Sequence, residues 1–156
     1  MKDITETSIS RNELETYIGN KAQNKFYKKA LDTYFRNPSI PIWCFPSFFL
    51  GMFWFAYRKA LTPTLILVTV TFVLNTFPIT AILAILLYIL LFFFLGLFGV
   101  NIFFSTAKKE IIRINNTNFN LDEKNILELI AKKGGTSNLY PTILYCSLVL
   151  LYFLLF

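Results

Sequence analysis

The sequence predicts an all-α integral membrane protein with amphipathic amino-terminal helices, one aromatic re-entrant or interfacial segment and three transmembrane helices. Three observations lead there. No Lys, Arg, Asp, Glu or His occurs between Ala60 and Ala107, and a soluble domain of 156 residues has no interior large enough to hide so long a stretch. Hydrophobic residues make up 55% of the chain, with 18 Phe, 8 Tyr and 2 Trp, more aromatic surface than such a domain buries. The 15 Lys and Arg also border the apolar segments: a first group precedes residue 40, Arg58 and Lys59 follow the first apolar run, and the rest lie between Lys108 and Lys133. Basic flanks of this kind set orientation and touch anionic headgroups. A net charge of +6 divided in this way makes no continuous basic face, which argues against nucleic acid and for a bilayer containing anionic lipids as the partner.

Residues 1–40 read as cytoplasmic amphipathic helices. The opening MKDITETSISRNELE is polar and acidic, unlike a cleaved signal peptide. Ser10-Arg11-Asn12-Glu13 has the spacing of a capping box, so a helix should start there and break at Gly19. A second helix is expected from about Lys21 to Arg36. Lys21, Lys25, Lys28, Lys29, Asp32 and Arg36 fall on one stripe, and Tyr27, Ala30, Leu31, Tyr34 and Phe35 on the other. Such a face covers either the membrane surface or the protein's own cytoplasmic end, and the second use is the commoner.

Residues 41–59 form the aromatic segment, IPIWCFPSFFLGMFWFAYRK with its leading Ile40. Pro46 and Gly51 interrupt it, and Pro41–Tyr57 as one helix would reach only ~26 Å. Spanning would also put one of two strongly basic flanks outside, so a re-entrant or interfacial hairpin is expected. Residues 60–107 read as a transmembrane hairpin: Leu61–Thr76, an uncharged turn Asn75–Pro78, and a long helix from Ile79 continuing past Phe104 through the basic STAKKEIIRI. Residues 108–137 are a cytoplasmic helical segment, with Asn120 expected to cap LDEKNILELIAKK. Leu121, Ile126, Leu127 and Ile130 would be its apolar side, Glu128 would support Lys132, and Gly134 would terminate it in a left-handed conformation, followed by Gly135. Residues 138–156 read as a carboxyl-terminal transmembrane helix. The Asn115-Asn116-Thr117 sequon is a chance match on a cytoplasmic loop.

Reactive constellations are scarce. The two cysteines, Cys44 and Cys146, lie in apolar segments, and with no histidine they supply neither a zinc site nor a disulfide framework. The nine acidic residues fall on solvent faces or caps and form no pair. There is no phosphate loop and no nucleophile elbow. No cofactor, no metal and no enzymatic activity are therefore expected. In the uncharged stretch, Thr64, Thr69, Thr71, Asn75, Thr80 and Asn101 are the polar groups. The threonines bond back to their own helices, and Asn101 suits a helix-to-helix hydrogen bond. Gly96 and Gly99 would let another helix approach closely.

The run Phe48–Lys59, FFLGMFWFAYRK, resembles the signature of a family of small bacterial inner-membrane proteins catalogued as a domain of unknown function. The matching positions are Phe48, Phe49, Gly51, Trp54, Tyr57, Arg58 and Lys59. YIGNKAQNKFYKKA upstream and the Gly-Gly-Thr-Ser element of AKKGGTS (131–137) downstream resemble the family's flanking elements. Family members usually carry Asn-Trp where this chain has Cys44-Phe45 beside Trp43, and a proline is common at the position of Met52. The resemblance implies location and topology and adds no catalytic residues. Read physically, Trp54 and Tyr57 prefer the membrane interface and Arg58 and Lys59 suit phosphate headgroups, so these residues with Trp43, Phe48, Phe49 and Gly51 form a membrane-anchoring motif or a docking site for a partner protein or a specific anionic lipid.

These readings converge on a multi-pass protein of a bacterial inner membrane, with its amino terminus cytoplasmic and its carboxyl terminus external. Its expected role is that of a non-enzymatic structural or accessory subunit offering a cytoplasmic interaction surface to a membrane or cytoplasmic protein. The alternative is a small oligomeric pore or phage-type lysis protein, although the long helix has no polar stripe to line a water path. The sequence specifies no oligomeric state.

Overall fold

Ser10 opens helix α1 (Arg11–Ile18) as expected: its hydroxyl accepts from the Glu13 amide at 3.2 Å, and the Glu13 carboxylate accepts from the Ser10 amide at 2.6 Å. The computed structural model describes residues 9–76 and 80–155, and every regular element among them is helical. After α1, Gly19–Gln23 form a 3-10 turn, and α2 (Lys25–Arg36) begins behind an Asn24 side chain that accepts from the Phe26 amide. Helix α2 thus starts four residues later than expected, because Asn24 offers a cap and Lys21 lies in the turn. Its Tyr27, Ala30, Leu31 and Tyr34 are buried against the protein itself, whereas Phe35 is 43% exposed and does not belong to the buried face.

The expected single run Pro41–Tyr57 is two short helices, α3 (Phe45–Leu50) and α4 (Met52–Tyr57). Gly51 separates them with φ 48° and ψ −119°, a backbone conformation that side chains with a Cβ avoid. Six helical residues reach only ~9 Å, so neither piece can cross a bilayer. Helix α5 (Leu61–Thr76) follows, then α6 (Ala81–Thr117), α7 (Glu123–Lys133) and α8 (Leu139–Leu155). The expected Asn75–Pro78 turn lies partly outside the described residues.

Helix α6 is the spine. Its 37 residues extend for ~56 Å. The carboxyl-terminal half carries the core, where Val100, Phe103, Phe104, Ala107 and Ile111 are fully buried beneath α1, α2, α4 and α7. The amino-terminal half stands bare: Ile82, Ile85, Leu86, Ile89 and Leu90 are all more than half exposed. Apolar residues of α5 (Leu65, Ile66) and α8 (Ile143, Tyr145, Leu150) are similarly exposed.

Only α6, among the described residues, is long and apolar enough to cross a membrane. Helices α5 and α8, with 16 and 17 residues, reach ~24 Å and ~26 Å against a hydrocarbon core of ~30 Å. The expected set of three spanning helices therefore reduces, by length, to one. Two smaller expectations also change. Helix α7 starts at Glu123 behind Asp122 rather than Asn120, because the Leu121 amide bonds back to Asn118 and closes a turn there. Leu121 is outside the helix and 42% exposed, leaving Ile130 buried with Ile126 and Leu127 packed beside it.

Candidate functional site

The aromatic signature and the residues flanking it fold into one neighbourhood. Helix α3 lies on α6 through Gly96 and Gly99. The Ile42 and Cys44 amides donate to the Leu97 and Gly96 carbonyls at 3.0 and 2.8 Å, and a Cβ at Gly99 would overlap the buried Ser47 side chain. Over Gly96 lie the rings of Trp43 and Phe48, which also pack on each other at 5.4 Å between centroids. Asn101, expected to bridge two helices, instead donates to the Pro38 and Ile40 carbonyls at 2.7 and 2.9 Å. It fixes the extended connection between α2 and α3, whose backbone has no helical partners of its own. Phe49 is 69% exposed and joins this packing only at its margin, edge-on to the Phe48 ring at 4.8 Å between centroids.

The second half of the signature turns inward. Trp54 is 4% exposed, against Phe55 and Phe103, so it is a core residue and not an interfacial ring. Helix α4 ends in a Schellman arrangement. The Ala60 amide donates to Phe55 and the Lys59 amide to Ala56, with Lys59 in the left-handed region at φ 55°. The Lys59 ammonium reaches the Lys132 carbonyl at 3.4 Å, capping the end of α7, while Glu128 forms no ion pair with Lys132 among the described residues.

Gly134 and Gly135 join α7 to α1. Gly134 terminates α7 as expected but with extended geometry (φ −81°, ψ −152°), and the left-handed residue is Gly135 at φ 78°. The physical reason is the close approach of α1: a Cβ at Gly134 would run into the Tyr17 backbone, and the Gly135 amide donates to the Tyr17 carbonyl at 2.7 Å. Two residues on, the Ser137 amide donates to the Tyr57 carbonyl at 2.9 Å, so the Gly-Gly-Thr-Ser element also holds the end of α4. A hydrogen bond from Thr136, aided by Lys21 and Arg58, holds the Tyr57 phenol below its usual pKa.

Between α2, α3 and α4 lies an open cleft of about 430 Å³. Its floor is Arg58, only 2% exposed. The guanidinium sits 4.5 Å from the centroid of the Tyr27 ring and 5.4 Å from that of Phe103. Its Nη1 donates a long 3.4 Å bond to the Ile18 carbonyl, and its Nε has no partner. The described ion pairs join Arg11 with Glu15 and Asp32, and Arg113 with Glu110, so no carboxylate answers Arg58. Burial pushes the Tyr27 phenol above its usual pKa, and the nearby Arg58 charge opposes that shift. Lys21 stands at the rim with its ammonium 5.9 Å from the Tyr57 ring centroid.

Of the signature residues, Trp43, Trp54, Tyr57 and Arg58 line this cleft. Lys21, Asn24 and Tyr27 line it too and were not singled out as site residues in the sequence. The one signal that pointed to them is the YIGNKAQNKFYKKA run beside the signature. Among the described residues no group of His, Cys, Asp and Glu could hold a metal ion. Neither family models, nor curated proteins, nor solved structures give a match to this chain.

Proposed function

We propose that this is a non-enzymatic, multi-pass protein of a bacterial inner membrane, a member of the small-protein family its signature resembles. In this reading it is a structural or accessory subunit whose packed helical layer faces the cytoplasm. The observation that carries the reading is the division of α6. Its uncharged amino-terminal half is bare, and only 11% of its most apolar stretch is buried inside the fold. Its carboxyl-terminal half, from Leu95, is sheathed by helices that hold the charged residues. A soluble core helix would be covered throughout; a helix half in lipid and half in a cytoplasmic layer has this pattern.

In this reading α5, which packs on α6, and α8, which packs on α4, cross a bilayer thinned to their shorter length, at a fraction of a kcal/mol per Å of mismatch. The α3–Gly51–α4 hairpin re-enters without crossing, which keeps Arg58, Lys59 and the amino-terminal lysines on the cytoplasmic side. The carboxyl terminus is then external. The interaction surface is the outer face of α2, where Lys25, Lys28, Lys29 and Arg36 are exposed. It suits anionic lipid or an acidic face of a membrane or cytoplasmic partner protein.

Impermeant thiol labelling of intact cells tests the topology. Single cysteines replace Ser10, Phe77, Asn118 or Phe156 in a variant without Cys44 and Cys146. Labelling at 77 and 156 alone is expected. Labelling at 10 as well would mean that residues 41–57 cross the bilayer.

A further inference from the structure

We propose that the cleft over Arg58 binds the phosphate group of a long-chain anionic lipid, with the lipid's chain running out over the aromatic end of α3. The inference rests on the membrane reading above and adds a specific ligand site to it.

The central observation is a buried cation without an anion. Arginine keeps its charge in proteins, and a buried charge is unfavourable unless it is paired. The Tyr27 and Phe103 rings compensate Arg58 in part. The guanidinium nevertheless has an unpartnered buried Nε and no carboxylate among the described residues. It lines a cleft open to the outside. A guanidinium fork pairs with phosphate through two parallel hydrogen bonds, so a phosphate entering the cleft supplies what the fold does not.

The rest of the lining fits the same ligand. Lys21 brings a second cation to the rim, and Asn24 and Tyr57 add polar groups there. No Asp or Glu lines the cleft. The α3 side of the wall is Trp43, Phe45, Pro46 and Leu50, with Phe45 63% and Leu50 54% exposed. These residues sit on or beside α3, which packs on α6 at Gly96 and Gly99, where the bare half of that helix meets its sheathed half. A free phosphate would leave the aromatic side empty. A phosphate ester with an alkyl chain fills both sides, and the volume lies within the ~300–1,000 Å³ usual for small-ligand sites.

The test uses the full chain in phosphatidylcholine nanodiscs, with tryptophan emission as the readout, because Trp43 and Trp54 both line the cleft. A few mole per cent of phosphatidic acid with brominated chains is expected to quench emission at least twofold more than the same fraction of brominated phosphatidylcholine. Lys21→Gln, at an exposed rim position, should weaken the selective quenching about threefold to tenfold, and Arg58→Met should abolish it. Retention of the emission maximum and of the helical circular dichroism in Arg58→Met shows that the loss is local. Inorganic phosphate and glycerol 3-phosphate should not displace the lipid at millimolar concentration, and displacement by either overturns the assignment to a lipid. Quenching that is equal for the two brominated lipids, in protein that resists carbonate extraction from membranes, overturns the inference and leaves the membrane reading standing. Extraction by carbonate overturns both.

Discussion

Adding a single methyl group at Gly99 decides whether α3 is held on α6 by close packing. Gly99 lies inside α6, so replacing it with alanine in isolation favours the helix by about 1 kcal/mol. In this fold the new Cβ would overlap the Ser47 hydroxyl and lie 2.8 Å from the Ser47 Cβ. Ser47 is fully buried, and its helix is also tied to α6 by the Cys44 amide, so it has nowhere to retreat. Overpacking of this kind costs about 1–3 kcal/mol. The packing term offsets or outweighs the propensity term, and Gly99→Ala should fail to stabilise, destabilising by up to about 2 kcal/mol. Ser47→Gly removes the obstructing atoms together with a buried hydroxyl that has no partner. In the Ser47→Gly background the sign should reverse, giving a coupling of about 1–3 kcal/mol. Reversible unfolding in mixed micelles, followed by tryptophan emission, measures all four corners of this cycle. Gly99→Ala stabilising the wild-type background by its full helix propensity would refute the packing of α3 on α6.

Three further outcomes are expected. Gly134→Ala should destabilise by about 2–4 kcal/mol, because its Cβ meets Tyr17 backbone and displaces the Gly135-to-Tyr17 hydrogen bond; amide exchange at Gly135 should accelerate with the loss. Burial, and secondarily the Glu110 charge, push the Tyr17 phenol up to about 12 from 10.0. A raised folded-state value favours the neutral phenol, so its stabilisation is complete below pH ~10 and is lost as pH rises through about 12, roughly 2–3 kcal/mol in all. Tyr17→Phe should flatten the alkaline limb of a stability-against-pH curve between those values. Lys59→Gly should relieve a left-handed non-glycine residue by about 1 kcal/mol and give up one long bond to Lys132, so the midpoint of thermal unfolding should stay level or rise.

What the sequence made legible was local. The Ser10–Glu13 box, the break at Gly51 and the long uncharged helix each follow from neighbours within a few residues, and each stands in the structure. The misreadings came from contacts between distant segments. Gly134 is extended because Tyr17 lies against it, more than a hundred positions away in the chain. Trp54 reads as an interfacial ring, yet Phe103 covers it. Asn101 reads as a partner for a helix, yet the chain between α2 and α3 takes its amide. Lys21 reads as one lysine on a polar stripe, and only the 3-10 turn sets it at the rim of the cleft.

Position by position, the aromatic signature resolves into packing duties with one exception. Trp43 and Phe48 cover Gly96, Gly51 turns the hairpin, Trp54 fills the core beside Phe103, Tyr57 receives the start of α8, and Lys59 closes α4. A hydrophobic residue or glycine could serve most of these purposes. Arg58 is different. An apolar side chain of similar length would fill the same space without a buried charge, and such replacements are often neutral or stabilising. Its fold-level compensation is two aromatic faces, the Tyr27 phenol and one long hydrogen bond to the Ile18 carbonyl. A buried cation with no carboxylate among the described residues, lining a cleft with a second cation at its rim, is what the proposed entry of an anion into the cleft would explain.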